Sequence, residues 1–240
     1  MPIKWTTTEV DGFKVTHKVG ANPKQLVAAH QSQALAIVGD HPIVHQKQLG
    51  KQLLAFRKMR IHGGEYAEIY HSPVALFKDL QRINESPLRE FEEPVATITH
   101  SSDPHSVTVV SKWKKGSKSL ASYLLAENIN VDKKIKMCKT AMTSLARLSS
   151  KEYVHGHIKA ENFVVLPKGK AHLIDYTLIR PPQGHSELGN EAYAAAVNLA
   201  SVISLFAPNA PSTYAITIKL LAHYKRMINV PKRKFVKKVN

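Results

Sequence analysis

The spacing of apolar and polar positions changes several times along this chain, and each change predicts an element. Residues 3–18 alternate on both sides of Val10-Asp11-Gly12-Phe13. Asp-Gly between alternating runs signals a two-residue hairpin, because both turn residues take positive φ. Asn22-Pro23 then offers an N-cap and a proline at the first helical position, opening a helix to about Gln31. Strand-like runs follow at Ala34–Val38, Ile43–Gln46 and Gln52–Met59. Ser72-Pro73 caps a helix from Val74 to about Ile83, whose apolar residues Val74, Leu76, Phe77, Leu80 and Ile83 share a face. Pro94–His100 and Ser106–Trp113 alternate again as paired strands, and after Trp113 the helical period takes over. Ser119–Leu125 and Asp132–Leu148 read as helices, the second with Ile135, Cys138, Met142, Leu145 and Leu148 as a buried stripe. A helix opening at Glu191 and another over about Ser212–Met227 complete the pattern. The order of elements predicts an α+β protein, β-rich first and helical later.

Between those helices lies a different stretch, from Tyr153 to Arg180. Two short apolar runs, Phe163–Leu166 and Ala171–Ile174, flank the turn at Pro167–Gly169 and predict a hairpin. A polar loop, His155–Asn162, precedes the first strand, and Asp175 follows the second. Asn162 and Asp175 therefore fall at neighbouring ends of paired strands. Two converging oxygen donors suit a hard cation that bridges phosphates.

This stretch resembles the catalytic loop and metal-binding turn of the protein-kinase superfamily, H-R/G-D-x-K-x-x-x-N followed by D-F/Y-G. His155, Gly156, Lys159 and Asn162 fall on matching positions, and Asp175 on that of the metal-binding Asp. The wording is most similar to the vaccinia-related branch of that superfamily. The resemblance implies a bilobal fold: a β-rich small lobe with an N-terminal extension over 1–113, a truncated helical large lobe over 114–230, and a basic tail over 231–240. Lys112-Trp113-Lys114-Lys115-Gly116-Ser117-Lys118-Ser119-Leu120 resembles the hinge between lobes, where backbone groups hold adenine. Leu54-Ala55-Phe56-Arg57 falls on V-A-I-K, so the phosphate-pairing cation is Arg57, or Lys58 if the register slips by one. A competing register places Ala36-Ile37-Val38 on that strand. ATP with Mg2+ is the cofactor pair the resemblance implies, with Asn162 and Asp175 as metal ligands and Arg57 or Lys58 at the phosphates; the alternative is no cofactor.

The departures from the pattern matter more than the matches. His157 stands where the catalytic Asp belongs, and Thr177 replaces the glycine after Asp-Tyr. Gly39-Asp40-His41-Pro42-Ile43-Val44, in the place of the glycine-rich loop, has one glycine and a proline without an N–H, a poor phosphate cradle. For the helix glutamate that pairs with the strand lysine, only Glu65, Glu68 and Asp79 are candidates. No A-P-E motif follows Asp175, and Glu191 stands in for the Asp that opens the central large-lobe helix.

Composition adds the partners. Thirty-four Lys+Arg against eighteen Asp+Glu give a net charge of +16. No carboxylate follows Glu191, while Lys219, Lys225, Arg226, Lys232, Arg233, Lys234, Lys237 and Lys238 do. Such a field attracts an acidic protein partner, or nucleic acid weakly and without sequence preference. The single cysteine, Cys138, excludes a disulfide framework. No apolar run of membrane-spanning length and no secretory leader is evident, which predicts an intracellular protein, cytoplasmic or nuclear.

Phosphoryl transfer relies on positioning, charge neutralisation and a carboxylate that orients the attacking hydroxyl. Here Lys159 and the Asn162/Asp175 pair remain and His157 stands at the orienting position, while the glycine loop, the helix glutamate, the glycine after Asp-Tyr and the substrate platform are absent or replaced by weak candidates. The expectation is a pseudokinase that binds or regulates. The alternatives are an atypical ATP/Mg-dependent phosphotransferase or nucleotidyltransferase using Asp175, Asn162 and Lys159, and a basic nucleic-acid-binding protein on the same scaffold.

Overall fold

The computed structural model describes residues 4–33, 37–38, 41–42, 44–60, 93–175, 178–184, 186–207 and 209–229. The expected helix from Val74, the candidate acids Glu65, Glu68 and Asp79, Gly39 and Asp40 of the loop, Thr177 and the tail over 231–240 lie outside them. The described residues form a mixed α+β structure. A six-stranded antiparallel sheet runs in the order β1-β2-β7-β8-β6-β5. Its strands are β1 (Trp5–Val10), β2 (Phe13–Lys18), β5 (Val44–Leu49), β6 (Gln52–Arg60), β7 (Glu93–His100) and β8 (Asp103–Trp113). β3 (Ile37–Val38) pairs only with β4 (His41–Pro42), outside that sheet. β6, the strand that carries Arg57, lies between β5 and β8, and Ala36 of the competing register is outside the described residues.

Local chemistry fixes the first elements. Asp11 and Gly12 have φ of 50° and 80°, the positive values of the predicted hairpin turn, and Val10 pairs with Phe13 across it. In α1 (Pro23–Gln31) the Asn22 side chain accepts the amide of Gln25, and Pro23 needs no partner for a missing N–H. α1 buries Leu26, Val27 and Ala29 in a first core with Phe13, Val15, Leu54, Phe56, Ile98 and Val110.

The second core is helical. α2 (Leu120–Leu125) starts at Ser119, whose hydroxyl accepts the Ser122 amide. α3 (Val131–Ser149) starts at Asn130 and buries the whole predicted stripe, Cys138 included, whose thiol burial pushes up to about 12. α4 (Glu187–Phe206) and α5 (Thr213–Ile228) pack against it. α4 begins four residues before the expected Glu191. Glu187 accepts the amide of Gln183 and is bound by the Arg180 guanidinium, so the helix starts where that carboxylate is held. A three-stranded sheet, β11-β10-β9, lies against these helices: β9 (Lys118–Ser119), β10 (Phe163–Val165) and β11 (Ala171–Leu173). Ser144 donates to the Ala171 carbonyl and Thr140 accepts its amide, so side chains of α3 satisfy backbone groups of the edge strand β11.

β8 joins the two cores. Val110 faces the first, while Val107 and Val109 face the second, since alternate strand residues point to opposite sides. No helix among the described residues is long and apolar enough to cross a membrane.

Candidate functional site

The loop from Tyr153 to Asn162 runs between α3 and β10, and side chains with fixed partners hold its shape. Val154 and Arg180 exchange backbone hydrogen bonds of 2.8 and 3.0 Å at its start. Glu191, in the second turn of α4, accepts the amides of His155 (3.2 Å) and Gly156 (2.7 Å). Burial raises its carboxyl above the ordinary glutamate range, against the pull of those two amides. Gly156 sits at φ 81°, and a Cβ there would lie 2.7 Å from the Leu178 Cβ and 2.8 Å from its carbonyl oxygen. Only glycine fits.

His155 is fully buried, and its Nε2 donates to the Ile174 carbonyl at 2.9 Å. With that proton on Nε2, Nδ1 is left to accept the His157 amide at 3.4 Å. Burial pushes the imidazole down to about 4, with His157 and Arg57 adding to the shift and Asp175 and the Ile174 carbonyl opposing it. His155 is thus a neutral strut between the loop and β11.

The hairpin has the predicted layout. Phe163 pairs with Leu173 and Val165 with Ala171, and the Ile174 amide donates to the Asn162 carbonyl at 2.8 Å. Asn162 and Asp175 therefore stand at neighbouring strand ends. The Asn162 side-chain amide donates to the His157 carbonyl at 2.7 Å, closing the loop on itself. Asp175 takes φ 67°, a left-handed conformation that Asp tolerates better than most residues.

Across the gap from β6 comes Arg57. Its Nη1 lies 2.9 Å from Asp175 Oδ1, with side-chain exposures of 7% and 15%. The register explains why this is Arg57 and not its neighbour. Arg57 pairs with Val109 and shares the sheet face of the second core; Lys58 pairs with Thr108 on the opposite face. There Lys58 meets Asp103 at 3.0 Å in a partly exposed pair. A one-residue step reverses the face of a strand residue. The expectation that Lys58 could serve this site is corrected on that ground.

The sequence-predicted residues divide accordingly. Arg57, Asp175, Asn162 and His157 come together through this network. Lys159 heads the 3-10 turn Ala160–Asn162 and makes no ion pair with a described residue. Lys58 is elsewhere. Among the described residues no three His, Cys, Asp or Glu side chains gather as a metal centre. Asn162 and Asp175 fit a divalent cation poorly, because the charge of Asp175 is already matched by a guanidinium at 2.9 Å. The part missed from the sequence is the Glu191 clamp. Its signal was available: Glu187 and Glu191 are the last two carboxylates of a chain with net charge +16, one helical turn apart.

A scan against protein-family models finds no match, and a search of curated proteins finds none.

Proposed function

We propose that this chain is a binding or regulatory protein on a degenerate protein-kinase-like scaffold, without phosphotransferase activity. The observation that carries the reading is the Arg57–Asp175 ion pair. In the resembling family the aspartate at this position holds a metal ion, and the cation on the V-A-I-K strand pairs with a helix glutamate. Here the two charges neutralise each other, and the enclosed pair is worth breaking only for a ligand that replaces both halves of it. Further support comes from the loop. His157 occupies the orienting position and supplies no carboxylate, while the Asn162 amide is engaged with the His157 carbonyl. The two-core layout, with the hairpin and its loop beside the face of β6 that carries Arg57, agrees with what the resemblance implies.

The test is phosphoryl transfer from ATP, on the chain itself and on generic protein substrates, for wild type, His157→Asp and Asp175→Ala. Thermal unfolding with ATP or GTP, with and without Mg2+, accompanies it. The expected outcome is no transfer above background from wild type and no Mg2+-dependent shift. Robust wild-type transfer that Asp175→Ala abolishes would establish the atypical phosphotransferase instead.

A further inference from the structure

A second region of the molecule gathers positive charge that no described carboxylate pairs with. The segment after β8 turns at Gly116, where the Ser117 amide donates to the Lys114 carbonyl at 3.1 Å. That turn lies against the hairpin turn of β10 and β11: a Cβ on Gly116 would be 3.5 Å from Pro167 Cγ. Lys118 pairs with Val165, and the Leu166 amide donates to the Lys170 carbonyl at 2.8 Å. Two segments distant in sequence therefore set Lys114, Lys115, Lys118, Lys168 and Lys170 at one corner, all exposed. None of the five makes an ion pair with a described residue. Residues 112–119 and 163–174 contain no Asp or Glu.

His172 sits among them, on the side of β11 that its partner Val164 shares. Its imidazole is pushed down to about 4, first by burial and then by Lys114, Lys170 and Arg147.

We propose that this corner is a docking site for the phosphate backbone of nucleic acid. The choice of partner rests on what the patch lacks. Protein interfaces draw most of their affinity from a few buried aromatic or aliphatic anchors. The exposed large hydrophobics among the described residues are Val19, Leu125, Tyr193, Leu205, Phe206, Tyr214 and Ile218, and none belongs to either segment. A backbone of phosphates needs charge and no anchor, and lysines on flexible stems adapt to its spacing. The same patch has no exposed aromatic to stack on a base, so the site is blind to sequence. It does not depend on the kinase-like reading, and neither fails with the other.

The test uses the full chain, tail included, and fluorescence anisotropy of a labelled duplex of about 20 base pairs between about 50 and 200 mM salt. Wild type is compared with Lys114→Gln/Lys170→Gln and with a control of equal charge change elsewhere, Lys14→Gln/Lys24→Gln. At about 100 mM salt the corner pair is expected to lose about tenfold in affinity, and its slope of log affinity against log salt to fall by about two. The control is expected to change by less than about twofold. His172 ring resonances should move on adding the duplex in wild type, while those of His17, on β2, stay. Equal losses in the two pairs would reduce the effect to net charge and overturn the site. An unchanged affinity in the corner pair would place binding elsewhere and overturn it too. So would a glutamate polymer that displaces the duplex at equal charge concentration, because the partner would then be an acidic protein.

Discussion

Burial pushes the imidazoles of His155 and His172 both down to about 4, yet their surroundings are opposite. Around His155 the main groups are paired: its Nε2–H donates to the Ile174 carbonyl, Glu191 accepts the loop amides, and Asp175 pairs with the Arg57 Nη1. Around His172 the charges are Lys114, Lys170 and Arg147, all of one sign. The first region satisfies itself and holds a shape. In the second, the five lysines make no ion pair with a described residue. The two regions thus differ in how their charges are met: by partners at the loop, and by no described carboxylate at the lysine corner. The variants below break that contrast or sharpen it, beginning with the largest effect.

Arg57→Ala removes the counter-charge of a largely enclosed carboxylate and should cost about 3–5 kcal/mol of stability. Lys58→Ala, one residue along, breaks a partly exposed pair and should cost about 0.5 kcal/mol. Urea unfolding of both variants checks the difference. The double variant Arg57→Met/Asp175→Asn leaves no unpaired charge and should recover most of the loss, since replacing both partners of a buried pair is far milder than removing one. A similar loss in Arg57→Ala and Lys58→Ala would mean that the central pair is no more enclosed than the surface one.

Gly156→Ala tests whether the loop can give. The new Cβ would meet the Leu178 Cβ and carbonyl oxygen below 3 Å, at a φ of 81° that side chains avoid. A loss of about 2–4 kcal/mol is expected, from strain in the left-handed region together with displacement of the chain at Leu178. Gly169→Ala, at φ 73° with nothing within 4 Å of its Cβ, isolates the conformational part at the lysine corner. It should cost about 1 kcal/mol. Equal losses at the two positions would show that Leu178 moves aside freely, and that the loop is held less firmly than its hydrogen bonds indicate.

How much of this was legible in the sequence differs by region for a physical reason. The hairpin at Asp11-Gly12, the α3 stripe and the hairpin ahead of Asp175 depend on local period and turn chemistry, which a sequence displays. The choice between Arg57 and Lys58 depends on which face of β6 looks toward Asp175, 118 residues away. Adjacent cations on a strand give no clue to that until β8 sets the register. The start of α4 is not visible in the sequence because Pro181-Pro182-Gln183-Gly184 reads as a turn without saying where it ends; the Arg180–Glu187 contact decides it. In the sequence Glu191 reads as a helix opener and not as a clamp, since its partners are backbone amides that no side-chain pattern reveals. The lysine corner is the hardest case. Its members come from two segments with ordinary charge density, and only the packing of one turn on another concentrates them.

The last comparison separates the two histidines directly. Both bind protons more weakly in the folded than in the unfolded chain, so stability is full above pH 6.5 and falls as pH drops toward 4. For the wholly buried His155 that loss should approach about 3 kcal/mol. Glu191, raised by burial, has the opposite slope; the quantity to measure is therefore the difference between wild type and His155→Gln, which keeps a donor for the Ile174 carbonyl and does not titrate. The variant's urea midpoint should vary less than wild type's between pH 7 and pH 4.5. Salt then distinguishes cause from cause. Raising ionic strength from about 0.05 to about 0.5 M shortens the screening length from about 14 to about 4 Å. Screening weakens the push of Lys114, Lys170 and Arg147 on the half-buried His172 and leaves the burial of His155 untouched. Histidine resonances followed by NMR against pH should show the His172 titration moving up with salt while that of His155 stays. If the two move together, the corner is no more open to solvent than the centre, and the contrast between them collapses.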